Sequence, residues 1–186
     1  MKKAGLLAFV LLLLSGCTNQ TEEIERGMTL RRKLLQASSC SFHAEITADY
    51  GEFLYTFAME CQGDADGNMT FTVSEPESIA GITGKITEEN GFLTFDQQAL
   101  FFSLLTDDQL SPISAPWILL KTLRSGYLTS AGMDEGRLRL TIDDSYEEDA
   151  LQVDIWLDAQ DMPECAEILY DGRRILSLNV TDFRIL

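Results

Sequence analysis

Two alternating segments decide the fold: residues 40–49 (CSFHAEITAD) and residues 53–61 (FLYTFAMEC), which Tyr50, Gly51 and Glu52 separate. In each segment an apolar residue follows a polar or small residue with a period of two. That period is typical of a β-strand with one face buried and one face in water. Glycine in the short connection favours a hairpin turn. The segments therefore predict two antiparallel strands at the start of a sheet.

The pairing of these strands can also be predicted from the sequence. A two-residue turn at Tyr50-Gly51 brings apolar residues opposite apolar residues along the whole hairpin, which is how strand register is usually fixed. The same register places Cys40 opposite Cys61 on one face. We predict that Cys40 and Cys61 can form a disulfide if the protein is exported, and that Cys165 remains a thiol.

Further strands follow the same reasoning, and two segments change to a helical period. A helix is predicted from just after Cys17 to about Ala37, with Ile24, Met28, Leu34 and Leu35 near one face. A second helix opens at Ser111-Pro112 and ends at Gly126. Strands are predicted near 69–73, 82–88, 91–96, 98–103, 127–132, 137–142, 151–158, 164–170 and 173–184. The fold class is α+β, mainly antiparallel β, with the sheet curled around the inserted second helix.

The N-terminus carries a targeting pattern. Lys2 and Lys3 precede an apolar run that is too short for a comfortable membrane span, and Leu14-Ser15-Gly16-Cys17 closes it. This closing segment resembles the lipobox of bacterial lipoproteins. The resemblance implies a signal peptide over residues 1–16, cleavage before Cys17 and a lipid on Cys17. The alternative is an ordinary signal peptide or an uncleaved anchor with an incidental cysteine.

The charge is strongly acidic, with a net charge of −16. Such a chain is repelled by nucleic acid, so a nucleic-acid partner is not expected. A group of basic residues stands just after the predicted lipid: Arg26, Arg31, Arg32 and Lys33. Two interpretations stay open: these residues lie on an anionic membrane surface, or they complement the C-terminal dipole of their own helix.

Catalytic chemistry has little support in the sequence. The single histidine, His43, falls on the polar face of the first strand, where a solvated side chain is expected. Zinc sites need several ligands close together, and no nucleophile elbow or phosphate loop is present. We therefore predict a protein that is not an enzyme and has no metal or cofactor.

Two acidic segments need an interpretation. A calcium-loop spacing is formed by Asp64, Asp66, Asn68 and Glu75, but its sixth position is Met69 instead of glycine, and strands flank it. A turn between strands is the preferred interpretation. Residues 143–149 form a dense acidic loop that is interpreted as a solvated hairpin tip, with weak cation binding or a basic partner as the alternative.

Large apolar residues recur on the faces that the predicted strands and helix turn inward. They belong to a packed core or to the lining of an apolar cavity, and the residue types suit both. The candidate cavity residues are Phe42, Ile46, Phe57, Phe71, Phe95, Trp117, Leu120 and Trp156.

The order of these features resembles the LolA/LolB-like lipoprotein family, including lipidated relatives in Gram-positive bacteria. No single motif carries the resemblance. The matching features, in order, are a helix before Phe42-His43-Ala44-Glu45-Ile46, the segment 71–82, Ser111-Pro112 with Ala115-Pro116-Trp117, the Gly126-Tyr127 exit, and Trp156-Leu157-Asp158 before Pro163.

This resemblance implies one LolA-like domain over residues 17–186, built as a half-open, strongly curved β-barrel closed by helices. It implies a cavity that holds an acyl chain or a lipid-bearing ligand, on a lipoprotein anchored at the extracytoplasmic face of the cell membrane. The alternative function is a scaffold with a filled barrel that supports a cell-envelope or spore-cortex enzyme. Fold alone does not decide between the two.

Overall fold

A computed structural model describes residues 18–51, 53–95, 98–102, 105–106, 109–147 and 150–186. The predicted signal peptide and Cys17 lie outside the described residues. Within these described ranges there are two helices, α1 (Thr18–Gln36) and α2 (Ala115–Ser125), and a 3-10 turn over Pro112–Ser114 leads into α2. The strands are β1 (Ser39–Asp49), β2 (Leu54–Asp64), β3 (Met69–Glu75), β4 (Thr83–Ile86), β5 (Gly91–Phe95), β6 (Gln98–Phe102), β7 (Leu105–Thr106), β8 (Gln109–Leu110), β9 (Tyr127–Asp134), β10 (Arg137–Asp143), β11 (Gln152–Leu157), β12 (Pro163–Tyr170) and β13 (Arg173–Ile185).

One antiparallel sheet of 11 strands forms most of the molecule, in the order β6-β5-β4-β3-β2-β1-β13-β12-β11-β10-β9. The sheet is curved but not closed, and β7 and β8 form a separate small hairpin. The first strand of the chain pairs with the last, since β1 lies beside β13. The predicted mainly antiparallel, half-open fold with two helices is therefore confirmed.

The predicted register of the first hairpin is wrong by two residues. Ile46 pairs with Phe57, Phe42 with Cys61, and Cys40 with Gly63. A shift of two keeps every side chain on its predicted face, because side chains alternate with that period. The turn is the cause of the shift. Asp49 accepts a hydrogen bond from the Gly51 backbone N–H at 2.8 Å, and Gly51 has a φ of +84°, which widens the connection beyond two residues.

The basis for the predicted disulfide disappears with that register. Cys40 and Cys61 are not opposite each other, and both are buried free thiols, while Cys165 is a half-buried free thiol. Burial raises the pKa of the Cys40 thiol and that of the Cys61 thiol. These two cysteines therefore contribute to the core as small, neutral, apolar side chains.

Helix α2 lies in the concavity of the sheet and is covered on nearly every side. Its buried residues are Ala115, Pro116, Trp117, Ile118, Leu119, Leu120, Thr122 and Leu123. The helix ends at Ser125, before Gly126, as predicted, but Gly126 is extended, with φ −68° and ψ 168°. Glycine is needed there for space: a Cβ would lie 2.7 Å from Ile142 Cγ2 and 2.8 Å from the Thr122 carbonyl oxygen.

Helix α1 packs on β9, β10 and α2 through a face that differs from the predicted one. Leu30 and Leu34 are buried, and a Cβ at Gly27 would lie 2.9 Å from Leu140 Cδ2. Only Leu34 of the predicted apolar face points inward. Ile24, Met28 and Leu35 are 38%, 40% and 58% exposed. Because Gly27 has no side chain, α1 approaches Leu140 of the sheet closely. This close approach determines which face of the helix is buried.

Candidate functional site

Six of the eight candidate cavity residues lie in one continuous hydrophobic core. They are at most 9% exposed: Phe42, Ile46, Phe57, Phe71, Trp117 and Leu120. The strand residues among them point toward α2 from the concave face of the sheet, and Trp117 and Leu120 contribute from the helix. Their apolar side chains are thus used for packing over the described part of the barrel.

Trp156 does not belong to this set, and its placement in the cavity was wrong. Its neighbours Ile155 and Leu157 are buried in the core, so alternation along β11 turns Trp156 to the convex face. The indole N–H donates to Asp134 Oδ2 at 2.7 Å, and Arg139 lies 5.2 Å from the ring centroid. Strict alternation from Val153 would have identified this orientation in the sequence.

A polar cluster beside Trp156 is absent from the sequence-based predictions. Asp154 is only 2% exposed, and it accepts hydrogen bonds from Arg139 at 2.5 Å and from the Thr141 hydroxyl at 2.7 Å. A buried carboxylate requires such partners, because its desolvation is otherwise costly. The Asp154 carboxylate is paired within the cluster, which joins β10 to β11.

Phe95 faces the concave side, as predicted, but it is not packed. Across four strands the register places Phe71, Gly84, Leu93 and Leu100 in one row. This row begins buried at Phe71, which is 3% exposed, and ends in solvent at Leu100, which is 64% exposed. Phe95 lies two residues from Leu93 on the same side and is 52% exposed. The concave face therefore continues beyond the packed core as exposed apolar surface.

The first hairpin has a similar exposed continuation. Along the core-facing side of β2, the exposed fraction rises from 9% at Phe57 to 51% at Tyr55 and 60% at Phe53. The rings of Phe53 and Tyr55 stack with centroids 6.3 Å apart. Nearby, the Tyr50 hydroxyl donates to the Leu110 carbonyl at 2.6 Å, and burial raises the pKa of Tyr50. We call these two exposed continuations the apolar rim: Phe53 and Tyr55 at the start of β2, and Phe95 and Leu100 on β5 and β6, where the row of Leu100 crosses β2 at Cys61, six residues from Tyr55.

A groove of about 690 Å³ lies between the two helices and the turns after β2 and β4. Its apolar lining comes from Leu35, Trp117 and Leu120. Charged side chains of both signs border it: Asp66, Glu88, Glu89, Lys121 and Arg124. The ammonium of Lys121 lies 5.3 Å from the centroid of the Trp117 ring, so the exposed side of that ring is partly covered.

The segment with calcium-loop spacing is a turn between β2 and β3. Asp64 accepts hydrogen bonds from the backbone N–H of Asp66 and of Asn68 and from the Asn68 side chain. Burial raises the pKa of Asp64, but these hydrogen bonds outweigh it and hold that pKa below its usual value. Arg124 donates to the carbonyls of Asp64 and Ala65, so helix α2 holds the backbone of this turn. Within the described ranges, no three His, Cys, Asp or Glu residues are close enough to hold a metal ion.

His43 lies on the outer, polar side of β1, with its Nδ1 atom 3.0 Å from Glu60 Oε1. Both side chains reach solvent, in line with the predicted solvated histidine. In the acidic loop, Asp144 accepts a hydrogen bond from the Leu151 backbone N–H, and Tyr146 contacts Tyr127. Residues 148 and 149 of this loop lie outside the described residues.

The four basic residues of α1 have different roles. Arg26 pairs with Asp161, and this carboxylate raises the pKa of the guanidinium. Arg31 donates to the Leu123 carbonyl at 2.7 Å, so it complements the C-terminal end of α2 and not that of its own helix. Arg32 and Lys33 are exposed. Only these two remain candidates for a membrane surface.

These features define a class of protein: an acidic, half-open antiparallel barrel that wraps a buried helix and ends in an exposed apolar rim. No helix within the described residues is long and apolar enough to cross a membrane.

No family model matches the chain, and no curated protein matches it. Solved structures do match. A LolA superfamily protein from Nitrosomonas europaea is 12% identical over 86% of this chain and 93% of its own, with a TM-score of 0.44. A putative outer membrane lipoprotein-sorting protein domain from Vibrio parahaemolyticus is 11% identical over 86% and 90%, with a TM-score of 0.46.

A third solved structure, from Clostridioides difficile, contains the CwlD amidase in complex with the GerS lipoprotein. The match is 12% identical over 91% of this chain and 98% of that chain, with a TM-score of 0.44.

Proposed function

We propose that this chain is a non-enzymatic lipoprotein, anchored through a lipid on Cys17, that binds an acyl chain or lipid-bearing ligand against the apolar rim. The observation that supports this function is the run of concave apolar residues from buried Phe71 to exposed Leu100. Exposed apolar surface next to a core is costly in water, and a ligand that covers it gains about 0.8 kcal/mol per buried methylene. Charged headgroups are not required for this binding.

The binding test uses delipidated protein without residues 1–17 and fluorescent fatty acids of increasing length. Affinity should rise with chain length, by up to about fourfold per methylene, because each CH₂ is removed from water. The matched pair of variants is Leu100→Ser and Phe101→Ser. These neighbours on β6 are 64% and 75% exposed but lie on opposite faces of the sheet. Only Leu100→Ser should weaken binding. Equal effects of both variants, or no binding at any chain length, would contradict the proposal.

The predicted location follows from the lipobox resemblance. The mature domain, residues 17–186, is held at the extracytoplasmic face of the cell membrane by the Cys17 lipid. Cys17→Ala should abolish incorporation of a palmitate probe and release or misprocess the protein. Undiminished labelling of the Cys17→Ala protein would rule out this anchor.

A second candidate function is a protein-interaction module that supports a cell-envelope or spore-cortex enzyme. The packing of Trp117 and Leu120 into the core favours it, because a barrel filled by its own side chains has no need of a ligand. Exposed aromatic residues such as Phe53 and Tyr55 are also common at the centres of protein interfaces. If fatty acids of every length fail to bind, this function replaces the first.

A further inference from the structure

Helix α1 carries a second apolar surface that borders the face packed on the barrel, and its residue Leu35 also lines the groove between the two helices. Ile24, Met28 and Leu35 are 38%, 40% and 58% exposed, although Leu30 and Leu34 already supply the buried face. With 100° between successive residues, these three lie within about 40° of one another around the helix axis. We call this surface the outer stripe. A helix that packs only on its own domain would place polar residues there.

The outer stripe lies close to the predicted site of lipidation. Helix α1 includes Thr18, the residue that directly follows Cys17 in the chain, so no flexible linker separates the lipid from the helix. At 1.5 Å per residue, Met28 is about 15 Å along the helix from Thr18. Acyl chains inserted in a bilayer would therefore hold the first half of α1 at the membrane surface.

The charged neighbours of the stripe differ along the helix. Glu22, Glu23 and Glu25 stand in the first half, whereas exposed Arg32 and Lys33 stand near Leu35. Arg26 and Arg31 are bound to Asp161 and to the Leu123 carbonyl and are not available to lipid headgroups. Contact with a membrane would therefore depend on the apolar stripe, with Arg32 and Lys33 as a minor contribution from the C-terminal half.

We propose that the outer stripe of α1 lies on the bilayer that holds the Cys17 lipid, so that α1 rests along the membrane surface and fixes the orientation of the barrel. This inference rests on the proposed lipid anchor and goes beyond it, since a lipid alone would leave the domain free to rotate. The partner surface is the lipid headgroup and upper acyl region, in which amphipathic helices bury their apolar face.

The test uses the full-length acylated lipoprotein in vesicles of phosphatidylcholine with phosphatidylglycerol. A nitroxide label is attached at Met28→Cys, and Thr29→Cys provides the control one residue further around the helix. Cys165→Ser removes the half-buried thiol, and Cys40 and Cys61 are buried. Collisions of the label with oxygen, which concentrates in lipid, are compared with collisions with a water-soluble nickel chelate. Ile24→Cys is a second, independent position on the stripe.

The label at positions 24 and 28 should gain oxygen collisions and lose nickel collisions relative to position 29. Equal nickel accessibility at positions 28 and 29 would overturn the proposal while leaving the anchor intact, provided that a palmitate probe still labels Cys17. Shielding from both reagents, with spin–spin broadening, would assign the stripe to a contact between two copies and also overturn it. A protein without an acyl group on Cys17 would overturn the anchor and this inference together.

Discussion

The two ends of strand β2 differ in their contacts. At one end polar groups of the following turn form hydrogen bonds with helix α2, and at the other end apolar side chains are exposed to solvent. At the C-terminal end, the turn after Asp64 is bound to helix α2: the Trp117 indole donates to the Gly67 carbonyl at 3.0 Å, and Arg124 donates to the Asp64 and Ala65 carbonyls. At the N-terminal end, Phe53, Leu54 and Tyr55 are at least half exposed. We call these the closed end and the open end.

This difference separates stability from binding. Polar groups of a turn that approaches a helix need partners, and the closed end supplies them from α2 itself. Apolar side chains at the open end remain at least half exposed, so the described part of the chain does not cover them. The closed end therefore holds the helix in the barrel, and the open end is where a ligand can add contacts.

The largest expected effect is at the closed end. Trp117→Ala should lower the free energy of unfolding by about 3–5 kcal/mol, because a buried aromatic ring leaves a cavity. Trp117→Phe keeps most of the ring but removes the N–H donor to Gly67, so it should cost only about 1 kcal/mol. Urea denaturation measures both values. A loss below about 1 kcal/mol for Trp117→Ala would show that the ring is not a packed core residue.

A smaller effect is expected for the turn itself. Asp64→Ala removes the acceptor of three hydrogen bonds and should cost about 1–3 kcal/mol at neutral pH. Since the folded-state pKa of Asp64 lies below its usual value, this contribution is full above the unfolded-state pKa and is lost as the pH falls through the folded-state pKa.

The stabilities of wild type and Asp64→Ala should therefore converge in acid, below about pH 4. Asp66→Ala is the control, because only the backbone N–H of Asp66 contributes to this turn. A difference between wild type and Asp64→Ala that does not change with pH would contradict the proposed role of the ionised carboxylate.

At the open end, substitutions should change binding more than stability. Tyr55→Ser and Leu54→Ser affect adjacent residues that are 51% and 68% exposed and lie on opposite faces of β2. Each should change the free energy of unfolding by less than about 1 kcal/mol. Titration with a fluorescent fatty acid should show weaker binding only for Tyr55→Ser, whose side chain belongs to the apolar rim.

The smallest effect on stability is expected for His43, which lies on the outer face of the β1–β2 hairpin. His43→Ala should change stability by less than about 0.5 kcal/mol, since its contact with Glu60 is exposed. Fatty-acid binding should also be unchanged, because no proton transfer is involved. A clear loss of binding would assign His43 a role that the apolar rim does not explain.

Strand positions were predictable from the sequence because a half-buried strand alternates, and this alternation is visible in segments such as 137–142. The register of the first hairpin was not predictable in the same way. It depends on the hydrogen bonds of the turn, from Gly51 N–H to the Asp49 side chain and from Tyr50 N–H to the Phe53 carbonyl, and such turn chemistry has no periodic pattern. The buried face of α1 was also missed, because it depends on the contact between Gly27 and Leu140.

The sequence predicted which types of residue form the candidate site, but it did not predict how exposed each of these residues is. Phe71 and Phe95 have similar sequence surroundings, yet one is 3% and the other 52% exposed. The difference arises because Phe71 faces α2 from the middle of the sheet, whereas Phe95 ends an outer strand. Tertiary position decides this, and a strand pattern contains no information about which strands become the edge. Leu100 was missed for the same reason, whereas Phe53 and Tyr55 were missed because β2 extends beyond its neighbour β3, whose pairing with β2 begins at Ala58.

The pairing of β1 with β13 has a consequence for how the chain folds. Most strands pair with the strand that directly precedes or follows them in the chain. In contrast, β1 also pairs with β13, which is synthesised nearly last. Pairing between such distant segments has a high contact order and slows folding. Until Ile185 is delivered, one edge of β1 remains an unpaired template for aggregation. Loss of the C-terminal strand should therefore leave two separate half-sheets, even though it removes none of the apolar rim.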